Sequence, residues 1–132
     1  MKYLQNLKLA RDIKTQHEGF SDWKKQRITG LFLIPILFWI VGSLAFLVGL
    51  ESTIGEIKNW FAQPYNTIMM LLFFPLFFYH AYFGTKLVIE DYIPSTMFKN
   101  VAIISVVFGY SILAISGIFA VLKIALESQS TY

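Results

Sequence analysis

Three stretches of this chain are too long and too apolar to form the surface of a protein in water. Residues 28–50 read ITGLFLIPILFWIVGSLAFLVGL and hold no charged side chain. Residues 68–89, IMMLLFFPLFFYHAYFGTKLVI, are apolar as far as His80 and carry Lys86 near their end. Within 98–126, the stretch 101–122 is again free of charge. About 20 apolar residues in a helix cross a hydrocarbon layer roughly 30 Å thick, and a backbone in that layer must bond to itself, which a helix does. The expected fold is therefore all-α: an integral membrane protein with three transmembrane helices. The other home for such runs is a buried helical core, and three uninterrupted runs of this length in so short a chain argue against it.

The remaining segments follow from these spans. Residues 1–27 form a polar N-terminal segment with room for a short interfacial helix around 4–13. Residues 51–67 form a loop, 90–97 a second loop with Pro94 as a break, and 127–132 a polar tail. The N-terminus lacks a short apolar core followed by a small-residue cleavage pattern, and Asp12, Glu18 and Asp22 oppose a transit peptide, so it reads as mature sequence. Seven of the 11 basic residues lie in the first 27, whereas the loop 51–67 has only Lys58. Basic flanks stay on the cytoplasmic side, which places the N-terminus and the 90–97 loop there and the C-terminus across the membrane. The expected location is the bacterial cytoplasmic (inner) membrane, or the mitochondrial inner membrane if the chain is organellar. No basic face on a folded domain and no nucleic-acid module is visible, so membrane lipid, and no nucleic acid, is the expected partner of these charges.

Chemistry has few residues to work with. Cysteine is absent and there are two histidines, which excludes thiolate sites and iron–sulfur ligation by this chain. His80 lies about ten residues from either end of its span. An ionisable group at that depth is costly to bury and is by default a functional residue. It can ligate heme iron, take part in a proton relay or channel, or simply hydrogen-bond across helices. Gly84 shares its face one turn on, where a flat ring or a neighbouring helix can approach. Asp91 and Tyr92 end the same helix. A tyrosine at the membrane edge can donate to a carbonyl of a lipid-soluble ligand, and it can equally be an interface anchor beside a helix-end charge. Arg27, just before the first span, suits a propionate, a quinone edge or a lipid phosphate. Lys86 can extend to the headgroups. Ser105 and Gly109, four apart, offer a close helix contact.

His80–Tyr92, HAYFGTKLVIEDY, resembles the H-x-x-x-G-x-x-x-x-x-x-D-Y stretch of the D-type hydrophobic membrane anchor subunits of succinate dehydrogenase, respiratory complex II. The stretch 19–29, GFSDWKKQRIT, is similar to the entry into the first helix of that family. The resemblance covers roughly residues 17–125. It implies half of a heme-binding anchor bundle, completed by a second three-helix cytochrome b anchor subunit and docked to an iron–sulfur subunit and a flavoprotein subunit. FAD and iron–sulfur clusters belong to those partners, and the electrons reach ubiquinone as substrate. The resemblance further implies His80 as an axial ligand of heme b, Tyr92 as hydrogen-bond donor to the quinone, Asp91 as its support, and Arg27 near the heme propionate or quinone. Some relatives have a histidine two residues beyond the glycine, where this chain has Ser21. The same architecture also fits the anchor of a quinol:fumarate reductase, and a structural membrane subunit without cofactor is the alternative of a different class. The chain alone has no means of oxidising succinate.

Overall fold

A backbone in hydrocarbon closes its hydrogen bonds within each segment, and this one does so in four helices. The computed structural model describes residues 1–130. Its elements are α1 (Lys2–Gly49), α2 (Ile54–Ala62), α3 (Pro64–Tyr92) and α4 (Thr96–Gln129). The described residues contain no strand. Helices α1, α3 and α4 are each long and apolar enough to cross a membrane. Residues 131 and 132, the end of the tail expected over 127–132, lie outside the described residues.

All three long helices overrun their apolar runs. The largest difference is in α1, 48 residues without a break, which at ~1.5 Å per residue is about 72 Å long. The N-terminal segment is thus a direct continuation of the first span, where the sequence indicated only a short interfacial helix. Pro35 and Pro75 lie inside helices α1 and α3 and end neither.

The connection between α1 and α3 is a built corner. Glu51 follows the end of α1 with φ of 50°, the left-handed conformation that reverses the chain. Thr53 then caps α2: its Oγ1 accepts from the Glu56 amide at 3.4 Å, while the Glu56 carboxylate accepts from the Thr53 amide at 2.6 Å. The Thr53 amide and, after it, the Thr53 hydroxyl at 3.0 Å hold the exposed Glu56 carboxyl below the usual carboxylate range. Pro64, whose missing N–H costs nothing at the first helical position, starts α3. Asn66 and Thr67 reach back to the last carbonyls of α2, Nδ2 to Trp60 at 2.8 Å and Oγ1 to Phe61 at 2.6 Å. Last-turn carbonyls lack a full set of partners within their own helix, and that of Trp60 also accepts from the Gln63 cap amide at 3.4 Å.

Helix α3 lies between α1 and α4. Its neighbours meet it together at one end, where Ile40 of α1, Met70 of α3 and Val121 of α4 form a buried cluster. On α1 the contact is a single stripe: Asp22, Gln26, Thr29, Leu33, Ile36, Ile40, Ser43 and Leu47 are buried or half-buried, at alternating steps of four and three. That is the repeat of two helices crossing at a shallow angle. On the other side, Gly117 of α4 makes room for Phe74, since a Cβ there would stand 2.4 Å from the ring. Ser105 bonds back to its own helix, and a Cβ on Gly109 would meet nothing within 4 Å, so among the described residues no neighbouring helix uses the clearance at Gly109. Most large apolar side chains of the spans point outward.

Candidate functional site

A group of polar residues gathers where α1 and α3 run side by side near the exit of α3. The two helices are antiparallel, so contacts descend α3 as they climb α1. Asp22 meets Lys86, Gln26 lies under Gly84, and Gln26 and Thr29 meet His80. Further on, Trp39 meets Tyr65 edge to face at 6.1 Å.

Burial of the polar groups makes their pairing obligatory. Asp22 is only 6% exposed, and its carboxylate accepts from the Lys86 ammonium in an ion pair that ties α1 to α3. Lys25 stands 3.8 Å from the same carboxylate, and Glu90 3.8 Å from Lys86. Lys86 therefore turns inward to a carboxylate instead of extending to the headgroups. Gly84 serves the neighbouring helix: a Cβ on it would lie 2.7 Å from the Gln26 side-chain nitrogen. On the opposite side of α3, the hydroxyls of Thr85 and Tyr110 pair at 2.9 Å.

His80 is half-buried. Its Nδ1 lies 3.0 Å from the Gln26 carbonyl oxygen and 3.0 Å from Thr29 Oγ1. Thr29 Oγ1 is in turn 2.8 Å from the Lys25 carbonyl. No hydrogen bond is made to Nε2 among the described residues. Gly30 supports the ring: a Cβ there would be 3.0 Å from Cε1. One nitrogen is committed to α1, and the other keeps its capacity for a ligand from outside the chain. A histidine anchored through one ring nitrogen with the other left open is the arrangement of a protein metal ligand, so His80 has the chemistry to hold a heme iron.

The other residues singled out by sequence do not join His80 in one pocket. Arg27 directly follows Gln26, but it is exposed, with its guanidinium stacked 4.5 Å from the Trp23 ring centroid. Asp91 and Tyr92 close α3, about 17 Å along the axis from His80. Both are exposed, Tyr92 at 81%. Among the described residues no hydrogen bond or ion pair links Arg27, Asp91 or Tyr92 to His80. His17 is exposed in the N-terminal part of α1. Conversely, the partnership of Asp22 with Lys86 and the contacts of Gln26, Thr29 and Gly30 were not singled out from sequence. The visible signal was the four-three spacing of Asp22, Gln26, Thr29 and Leu33.

Replacing Asp22 with asparagine leaves Lys86 without its nearest partner, and we expect a loss of about 1–3 kcal/mol. Thermal unfolding of the purified membrane protein would show a lowered midpoint. Adding Lys86→Met to Asp22→Asn should recover much of it, because removing both charges removes the uncompensated one. An unchanged midpoint in the single variant would refute the tie.

A family model described as succinate dehydrogenase/fumarate reductase transmembrane subunit matches residues 1–122. The succinate dehydrogenase hydrophobic membrane anchor subunit of Rickettsia prowazekii (strain Madrid E) is 31% identical over 102 residues, 74% of this chain and 80% of the relative. The subunit of the same name from Rickettsia bellii (strain RML369-C) is 33% identical over 98 residues, 74% and 76% of the two chains. That from Paracoccus denitrificans is 27% identical over 128 residues, 96% and 95% of the two. No solved structure matches the chain at the same stringency.

Proposed function

This chain belongs to the succinate dehydrogenase/fumarate reductase transmembrane subunit family, as a succinate dehydrogenase membrane anchor subunit, and from that premise we propose that it helps bind heme b and ubiquinone and docks the soluble subunits. The observation that carries the reading is His80, held on α1 through Nδ1 with Nε2 left to an outside ligand. When bound, heme b would supply a one-electron redox centre. The chain has no second histidine at that depth, so a two-histidine iron takes its other ligand from the partner anchor subunit. The heme is then interfacial. The partners are that second three-helix cytochrome b subunit, the iron–sulfur subunit and the flavoprotein subunit, whose FAD and clusters deliver the electrons of succinate. The relatives' name favours this direction over a quinol:fumarate reductase.

The test is the native complex carrying His80→Ala, with its abundance measured in parallel. We expect assembled complex without the optical and paramagnetic signature of two-histidine low-spin heme. A normal signature in that variant rejects His80 as the ligand, and a wild-type complex with no heme band leaves the structural-subunit alternative.

Tyr92 is the proposed hydrogen-bond donor to a quinone carbonyl. Its exposed hydroxyl at the end of α3 has no partner among the described residues, so it is available to a ligand between subunits. Asp91 beside it would support the site, and Arg27, exposed on α1, would meet the heme propionates or the quinone. Ubiquinone takes up two electrons and two protons. This chain's part is to bind and orient the carbonyl, not to oxidise succinate. Tyr92→Phe should slow succinate:quinone activity about tenfold or more, on the order of the 1.5–3 kcal/mol of a hydrogen bond developing charge, while succinate oxidation by a soluble dye is unchanged. Equal quinone activity contradicts the role, and loss of both activities marks failed assembly.

The membrane in question is the bacterial cytoplasmic (inner) membrane, with the N-terminus and the Asp91–Tyr92 end of α3 on the cytoplasmic side. The seven basic residues ahead of the first span support this. Reporter fusions should place the N-terminus inside and the C-terminus outside. Finding both ends on one side would overturn the three-span orientation.

A further inference from the structure

We propose that a cradle on α1, made of the Gln26 carbonyl, the Thr29 hydroxyl and the side-chain-free Gly30, is the positioning element that fixes the tautomer and ring plane of His80. The inference rests on the heme reading above and adds residues that touch neither iron nor quinone.

The assignment follows from which groups can donate. A carbonyl oxygen only accepts. His80 Nδ1 lies 3.0 Å from the Gln26 carbonyl, so Nδ1 carries the proton and donates it. Thr29 Oγ1 has one hydrogen and three polar neighbours: the Lys25 carbonyl at 2.8 Å, the Gln26 carbonyl at 3.0 Å and His80 Nδ1 at 3.0 Å. Its hydrogen goes to a carbonyl, and a lone pair faces the Nδ1 proton. The Gln26 carbonyl thus selects the tautomer and the Thr29 hydroxyl accommodates it, with the lone pair of His80 on Nε2. The alternative tautomer would set the Nδ1 lone pair against the Gln26 carbonyl, with no hydrogen between them.

Orientation has a separate source. Thr29 is 7% exposed, in the stripe that packs on α3, so its hydroxyl is not free to turn to water. Gly30 lets the Cε1 edge of the ring come close to the α1 backbone, and a Cβ 3.0 Å from Cε1 would push it away. Asp22 and Lys86 hold the two helices in the register that brings the cradle to the ring. A donor proton shared with good acceptors makes the imidazole a stronger base at its other nitrogen. The ferric state gains most from that, so the cradle lowers the heme midpoint potential.

The experiment compares the native complex with complexes carrying Thr29→Val, Thr29→Ser and Gly30→Ala, all normalised to assembled complex. Valine keeps the shape of threonine without the hydroxyl. We expect Thr29→Val to raise the midpoint potential, to alter the low-spin signature and to weaken heme retention about tenfold, the lower end for loss of a group supporting a metal ligand. Serine restores the hydroxyl and should return all three toward wild type. Gly30→Ala keeps both acceptors but displaces the ring, and should change the low-spin signature. The inference is overturned by a normal potential and signature in Thr29→Val, by serine failing to rescue, or by a normal signature in Gly30→Ala. Where the valine complex does not assemble, the glycine variant decides: an altered signature supports the cradle and a normal one removes it. A wild-type complex without heme fails the parent reading instead, and is recognised before any variant is compared.

Discussion

Nothing polar in a hydrocarbon layer has water to turn to, and the polar contacts that join these helices answer that constraint. For the backbone it produces helices, because only there does each carbonyl find an amide within the same segment. For side chains it produces pairing between helices. Asp22 is bound to Lys86, Thr85 to Tyr110, and His80 to the Gln26 carbonyl and Thr29. Apolar contacts between spans are weakly selective, since lipid tails are as apolar as leucine. The polar pairs therefore carry much of the information that fixes which helix meets which, and in what register. The histidine and the ion pair belong to one seam, so the contacts that hold His80 lie among those that align the helices.

What could be read in advance follows the same division. Length and absence of charge identified the three spans, because insertion into a bilayer depends on those quantities. The depth of His80 marked it as costly, and its motif tied it to a family. Which face of each span packs inward was not visible. In a soluble protein the apolar face is the buried one, but here Leu31, Phe38 and Phe46 are as apolar as Leu33 and Ile40 and point the other way. The seam of α1 shows itself through spacing and through its polar members. Asp22 read as part of a charged, water-exposed segment, since nothing local indicates a lysine 64 residues further on.

Gly84 illustrates the limit within the site. Its spacing from His80 correctly put the two on one face, and a small residue there implied a close approach. The approaching group could not be named from α3 alone, because a planar ring and a neighbouring helix need the same clearance. The Gln26 side chain takes the space. Likewise Ser105 and Gly109 have a helix-packing spacing, yet among the described residues nothing approaches the open face of Gly109, while Gly117, with no such partner in sequence, seats Phe74. Small residues mark where something can come near, and only tertiary structure says what does.

The unbroken course of α1 has a mechanical side. Among the described residues no turn separates the 26 helical positions ahead of the first apolar run from the run itself, so the two move as one lever. That arm is about 39 Å long, and a 10° change in the tilt of the span would swing its far end by roughly 7 Å. Any partner that grips the arm therefore sets the inclination of the span, and a thicker or thinner bilayer is transmitted to that partner as torque. The Asp22–Lys86 tie sits near the fulcrum, where leverage is smallest and two neighbouring helices can be kept aligned while the arm is pulled.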